Sequence, residues 1–280
     1  MLMLIATFSI AVFSCSDDKD DELNSPSKSQ VSKATAEQIK ATFPGLRLDS
    51  LQSHEEYGNL KLEYKNGLLV TYKECYTNGQ VHDGVSFKLN YTPDTVYVNS
   101  YKAVIGENGL VRQLICPNGK VNRYNYDNQG HLIKYEVDVV DKQDKQYYEI
   151  KWENDNISSY RNNYQSEGSW KFVDIFYNYS EELNLAGILP FLRFSGYNWI
   201  NDVGLSVCYG INEVLYYAGL LGRGTKNLPE SSYKINDSKW NESCSFTYNL
   251  DEAGYVISES GTRKVGSWSD KTITDNYFYK

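Results

Sequence analysis

Asn66-Gly67 stands between two runs in which every second residue is apolar: Leu60, Leu62 and Tyr64 before it, Leu68, Val70 and Tyr72 after it. Asn and Gly both accept the positive φ of a two-residue hairpin turn. Apolar residues at period two turn one face of each strand toward a core. Strands joined this way are antiparallel neighbours, and that restricts the fold more than any other local feature. The pattern then recurs. Phe87, Leu89 and Tyr91 alternate before Thr92-Pro93-Asp94, and Asn108-Gly109 and Asn118-Gly119 mark further turns. Tyr124 to Leu132 reads as a hairpin with a longer loop. Tyr148, Ile150 and Trp152 run into Asn154-Asp155-Asn156, and Phe246-Thr247-Tyr248 reaches a turn at Asp251 to Gly254. The turns at Gly109, Gly130 and Asp155 lie 21 and 25 residues apart. A degenerate repeat of one hairpin per unit is a β-meander.

One stretch breaks the period. Glu181 to Leu192 and Asp202 to Leu221 read as helices. Asn201-Asp202 can cap the second, Leu205, Tyr209, Asn212, Leu215, Tyr216 and Gly219 share a face, and Gly222 and Gly224 stop it. Pro190 ends or kinks the first. A short helix is also expected at Thr35 to Phe43, stopped by Pro44-Gly45. The expected fold is mainly β, an antiparallel meander of successive hairpins with one helical insertion at about 181–221.

The chain begins with an apolar run, Leu2 to Phe13, of about twelve residues, too short for a bilayer span of about 20. It suits the apolar region of a secretory signal. The Ser14-Cys15 step at its end resembles a bacterial lipobox, which implies cleavage before Cys15 and acylation of that residue. Several chains on one residue anchor it stably. The tract that follows, Ser16, Asp17, Asp18, Asp20 and Asp21, resembles the surface-export signal of Bacteroidota-type lipoproteins. The expected organisation is a signal peptide at 1–14, an acylated Cys15 with an acidic tether over 15–34, and one β-rich domain over 35–280 whose helical insertion spans 181–229. The expected location is the outer membrane, lipid-anchored and facing the cell exterior.

The mature chain would keep 266 residues, enough for one large β domain. With 28 basic and 36 acidic residues the net charge is −8, and no basic stripe is visible, so nucleic acid is not an expected partner. The 25 tyrosines fit half-exposed pleated surfaces, or an aromatic platform for a ligand. Besides Cys15, the four cysteines Cys75, Cys116, Cys208 and Cys244 allow three pairings, between which sequence does not choose. None has C-x-x-C spacing, and neither a metal nor a cofactor is expected.

Tyr124-x-Tyr126-Asp127-x-x-Gly130-x-Leu132 resembles the tyrosine–aspartate repeats of toxin-shell and adhesion proteins. The run from Tyr216 to Pro229 resembles the helix-end signature of a Bacteroidota lipoprotein family of unknown function, whose domain is described as porin-like. This resemblance covers most of 45–280. It implies a curved, many-stranded antiparallel sheet, part barrel, with a helical element against it, and no catalytic residue. Lys61, Glu63, Lys65 and Lys88 interleave with apolar residues, which fits a sheet with one wet face rather than a membrane wall. Helix 202–221 is apolar on much of its circumference, so it is expected to plug the concave side of the sheet. Its loop, Gly222 to Pro229, would then lie at a rim. Arg223 and Lys226 are the polar candidates for a ligand there.

Catalytic signatures are sparse. His54, His82 and His131 are scattered, and His131, after a turn glycine, reads as a solvated loop histidine. Gly219 to Lys226 follows a helix rather than preceding one, the wrong end for phosphate. The aspartates at 17, 18, 20 and 21 lack calcium-loop geometry. Neither Glu55-Glu56 nor Glu181-Glu182 makes a dyad alone, because strand neighbours point to opposite faces. Asp49-Ser50-Leu51 and Asp94-Thr95-Val96 match the O-glycosylation motif of Bacteroidota-type periplasmic proteins, with Ser50 and Thr95 as acceptors. The expected function is non-catalytic binding of a glycan, a peptide or an envelope partner. The alternatives are a glycan-acting hydrolase with a cross-strand carboxylate dyad, and a structural partner using exposed sheet edges. If Cys15 carries the anchor, Cys15→Ala moves the protein from the membrane fraction to the soluble one; unchanged partition in a fractionation assay would contradict the acylation.

Overall fold

The computed structural model describes residues 31–53, 57–76, 81–137, 146–166, 168–189, 210–236, 242–265 and 271–280. Helix α1 (Lys33–Thr42) comes first, with Ser32 Oγ accepting from Thr35 N–H at its start. Strands β1 (Leu48–Ser53), β2 (Tyr57–Lys65), β3 (Leu68–Tyr76), β4 (Val81–Tyr91), β5 (Thr95–Val98), β6 (Tyr101–Ile105), β7 (Val111–Ile115) and β8 (Val121–Tyr126) follow. Next come β9 (Leu132–Val137), β10 (Gln146–Glu153), β11 (Asn156–Ser166) and β12 (Ser169–Leu183). Helix α2 (Ile211–Tyr217) precedes β13 (Asn227–Asn236), β14 (Glu242–Leu250), β15 (Val256–Val265) and β16 (Lys271–Tyr279).

Each strand pairs antiparallel with its chain neighbours, and β1 pairs with β16, so the 16 strands close into a barrel. The ring is complete, beyond the partial barrel expected from the sequence. A closed ring leaves no strand without a neighbour on both sides. The hairpin signals act as read: Asn66 and Gly67 have φ of 54° and 76°, Asn154 and Asp155 of 53° and 62°. One detail differs. A bulge between Glu63 and Tyr64 sets Leu69, fully buried, on the inner face in place of Val70.

The inner face is apolar and rich in tyrosine. Tyr124, Tyr135, Tyr148 and Tyr160 lie on the consecutive strands β8 to β11 and stack in sequence, with ring centroids 6.0, 4.1 and 5.6 Å apart. Stacked rings bury a large apolar area, and the phenol keeps a polar end that must be paired. Tyr124 Oη donates to Asn212 Oδ1 at 2.7 Å, Gln146 Nε2 donates to Tyr148 Oη at 2.5 Å, and the Tyr135 and Tyr160 hydroxyls lie 3.4 Å apart. The outer face mixes polar and charged residues with exposed apolar ones such as Tyr97, Trp170, Phe172, Tyr233 and Ile235. Lys61, Glu63 and Lys65 are set on β2, and hydroxyl pairs Ser260–Thr274 and Thr262–Thr272 join β15 to β16.

Helix α2 runs through the interior. All seven of its residues are buried. Tyr72 of β3 donates to Glu213 at 2.6 Å, Tyr124 of β8 holds Asn212, and Tyr216 Oη donates to the Gly187 carbonyl at 2.7 Å. Helix α1 covers α2: Phe43 meets Tyr216 edge-on at 6.0 Å, and the Gly219 backbone lies against Ile39. Arg47 ties the layers. Its guanidinium sits over the rings of Phe43 and Tyr64 and donates to the carbonyls of Gly67 and Tyr217.

The helical insertion is shorter than expected. Glu181 to Leu183 end strand β12, where Leu183 pairs with Asn227, so no helix begins there. Ladder pairing overrides the helix preference of Glu and Leu. The chain then turns at Asn184, whose side chain bonds both the N–H and the carbonyl of Ile188. Residues 190–209 lie outside the described part, and with them the expected cap at 201–202, the first eight positions of the expected helix, and Cys208. No disulfide links Cys75, Cys116 and Cys244. Leu215 is 0% exposed. Leu215→Ala is expected to cost about 2–5 kcal/mol in a denaturation experiment; a change below about 0.5 kcal/mol would remove α2 from the core.

Candidate functional site

Because the strands alternate in direction, the turns β2–β3, β4–β5, β6–β7, β8–β9, β10–β11 and β14–β15 gather at one rim. Helix α1 and residues 184–189 and 218–226, from the connection between β12 and β13, also lie there. Backbone bonds dock that connection onto the turns: Val111 N–H to Leu220 O, Arg223 N–H to Gly130 O, Lys226 N–H to Asp155 O, and Asn184 N–H to Lys226 O. Gly222 has φ of 88°, and a Cβ there would lie 2.3 Å from the Gly130 carbonyl, so the approach needs glycine.

These elements enclose a cavity of about 350 Å³. Arg223, Thr225, Lys226, His131, Asp155 and Asn184 line it, with Ala41 of α1 at one side. The loop expected at a rim is there, and Arg223 and Lys226 are both brought to the cavity, exposed and without an ion-pair partner among the described residues.

His131 is no solvated loop residue. Its side chain is 2% exposed, and its ring stacks on Trp152 with centroids 4.3 Å apart. Trp152, from the next hairpin, covers it, which the local sequence of the β8–β9 turn does not reveal. Nδ1 lies 3.0 Å from Asp127 Oδ2, whereas Nε2 makes no hydrogen bond among the described residues and stands 3.6 Å from Asp155 Oδ1. Asp127 is the turn-builder of the tyrosine–aspartate motif: its Oδ1 accepts from the N–H groups of Gln129 and His131, each at 2.9 Å. Burial acts to raise its pKa, but the bonds it accepts from His131 and Gln129 outweigh that and hold it below the usual carboxylate value.

The other expected positions are scattered. Cys15, Ser16, Asp17, Asp18, Asp20 and Asp21 lie outside the described residues, as do His54, Glu55 and Glu56. Ser50 is half-buried in β1 and Thr95 is 4% exposed in β5, so neither presents a freely exposed hydroxyl. Among the described residues no group of acidic, histidine or cysteine side chains is placed to hold a metal.

One carboxylate pair was illegible. Glu259 and Asp275 face each other across β15 and β16, 0% and 2% exposed, inside the barrel. Tyr277 Oη donates to Glu259 Oε2 at 2.5 Å. Burial, aided by the neighbouring Asp275 charge and opposed by the Tyr277 bond, pushes Glu259 up to about 8. Only the strand register brings these residues together, and register between distant hairpins is not written locally. A second inner cluster lies beyond: Glu242 accepts from Arg263 at 2.5 Å, with Lys234 4.0 Å away.

With the geometry described, the comparisons with known proteins can be placed. The family described as a domain of unknown function (DUF4595) with porin-like fold matches residues 118–258. The chain belongs to that family. Among solved structures, a porin-like protein from Bacteroides uniformis ATCC 8492 shares 16% identity, with 85% of this chain and 99% of that one covered and a TM-score of 0.61. One from Bacteroides vulgatus ATCC 8482 shares 14%, with 84% and 99% covered and a TM-score of 0.51. No curated protein matches. At these identities the likeness shows the fold. This porin-like domain has a largely apolar interior, and its outward positions mix charged residues with exposed aromatic and aliphatic ones.

The folded Glu259 carboxyl binds its proton more tightly than the unfolded one, whose pKa is near 4.5. The stability this adds is full below about pH 4.5 and is lost as pH rises toward about 8. Glu259→Gln keeps an acceptor for Tyr277 and does not titrate. It is expected to gain ~3 kcal/mol over the native chain between about pH 5 and about pH 8, read by urea denaturation at each pH. Parallel curves would contradict the protonated state.

Proposed function

We propose that this protein is a non-catalytic binding module of the bacterial cell envelope, tethered through Cys15, whose ligand docks in the cavity at the helix-plugged rim. The supporting observation is the cavity itself: two cations without a counter-charge in ion-pair contact and a buried histidine nitrogen without a hydrogen bond, among the described residues, line it. Buried polar atoms are normally paired, so an unpaired one lining a cavity favours a binding role. The filled interior argues against a solute channel. The likeness to Bacteroides proteins and the signal-like N-terminus support an envelope location and an outward-facing lipid anchor. Glycans and peptides are the ligand classes to test.

A second reading keeps the hydrolase. Glu259 and Asp275 are cross-strand partners, and burial raises the Glu259 carboxyl to about 8, as a general acid needs. Their burial, and the Tyr277 hydroxyl on Glu259, favour a structural role instead.

The test screens glycan and peptide libraries with the full chain and with Ala41→Trp. Ala41 is exposed on α1, so an indole there fills the cavity without entering the core. Ligands retained by the native chain and lost by the variant support the rim. Equal retention by both would overturn it. Glycan cleavage abolished by Glu259→Gln would establish the second reading.

A further inference from the structure

Each wall of the rim cavity restricts its occupant differently. Arg223 and Lys226 are donors only, and both are exposed at the mouth without an ion pair among the described residues. In a chain of net charge −8, two such cations side by side are selective for negative charge. Asp155 is the one carboxylate among the lining residues. The end of α2 does not oppose an anion. Its last carbonyls, from Val214 to Tyr217, accept from Ala218, Leu220, Gly219 and Arg47, and none of these residues lines the cavity.

His131 asks for something else. Asp127 accepts from Nδ1, which leaves Nε2 as the ring nitrogen without a hydrogen bond among the described residues. The stack on Trp152 fixes the plane in which Nε2 points. A buried ring nitrogen beside the Asp155 carboxylate suits hydroxyl groups, which can pair with both. The Thr225 hydroxyl and the Asn184 amide are already committed to Asn227, Ile188 and each other. Pro44 and Leu185 supply an apolar side. Inorganic phosphate or sulfate would meet the cations but bring its charge against the Asp155 carboxylate. A neutral sugar would satisfy His131 and Asp155 and leave both cations idle.

We infer that the rim cavity binds an acidic saccharide unit, with its carboxylate at Arg223 and Lys226 and its hydroxyls paired with His131 Nε2 and Asp155. This rests on the reading of the rim as a binding site and names the ligand's class. A cavity of about 350 Å³ lies at the small end of small-molecule sites, in keeping with a short stretch of sugar rather than a long groove.

The test is calorimetric titration of the full chain with oligogalacturonate, oligoglucuronate, the methyl ester of each, and inorganic phosphate. At least one acid is expected to bind, and its ester at least tenfold more weakly. Arg223→Gln with Lys226→Gln, both exposed, is expected to reduce acid binding to the level of the ester. His131→Phe keeps a ring against Trp152 and is expected to weaken acid and ester alike. Equal binding of acid and ester, binding of phosphate alone, or no binding of either acid would overturn the inference. If acid and ester bind equally and Ala41→Trp abolishes both, the rim site stands and only the acidic class falls. If Ala41→Trp leaves binding unchanged, the rim site falls with it.

Discussion

A closed ring of this many strands encloses more space than its own side chains fill. In membrane barrels of that size the surplus is water. Here the surplus has to be apolar matter, and the rest of the structure follows from that need. Tyrosine is a suitable filler for a strand, since it reaches further than leucine and keeps a polar tip for pairing. The stack across β8 to β11 meets the demand on one wall. Helix α2 meets it in the middle, held by Tyr72 and Tyr124 from different parts of the ring. Charged side chains on the inner strand faces cluster where strands β13 to β16 meet, where Glu242 accepts from Arg263 and Glu259 from Tyr277.

Filling the lumen from one end has a second effect. The segment that supplies α2 must enter and leave through a rim, and α1 and residues 184–189 and 218–226 lie there with it. That rim becomes the place where irregular backbone accumulates on a rigid ring, which is where binding groups are usually found. Arg47 shows how tightly the layers are joined: one guanidinium spans a helix end, a hairpin turn and two aromatic rings. The family and the two solved relatives share the barrel, while the cavity's cations and histidine are described from this chain alone.

Much of the ring was legible in the sequence because hairpins are local. Asn66-Gly67 and Asn154-Asp155 declare their turns within a few residues, and the alternation on either side gives the inner face. Closure was not legible. It depends on Leu51 meeting Tyr277, residues from the two ends of the domain. The end of β12 was misread because Glu181 and Leu183 favour helix in isolation, whereas their partners on β13 decide the outcome. Arg223 and Lys226 could be placed at a rim because the glycines around them end a helix. His131 could not be placed, since its burial comes from Trp152, 21 positions later. Glu259 and Asp275 failed for the same reason: their meeting is a matter of register.

The rim loop is fixed almost wholly by main-chain bonds, to Gly130, to Asp155 and to Asn184. Gly222 and Gly224 are positions where the side chain, by its absence, sets the path, and the Thr225 hydroxyl ties the loop to Asn184 and Asn227. Arg223 and Lys226, by contrast, decorate a track whose course their side chains do not determine. Such a loop can exchange these side chains without moving, so descendants of one ancestral barrel could diverge in what they recognise at no cost in foldability. The same independence makes these two positions a natural starting point for redesigning specificity.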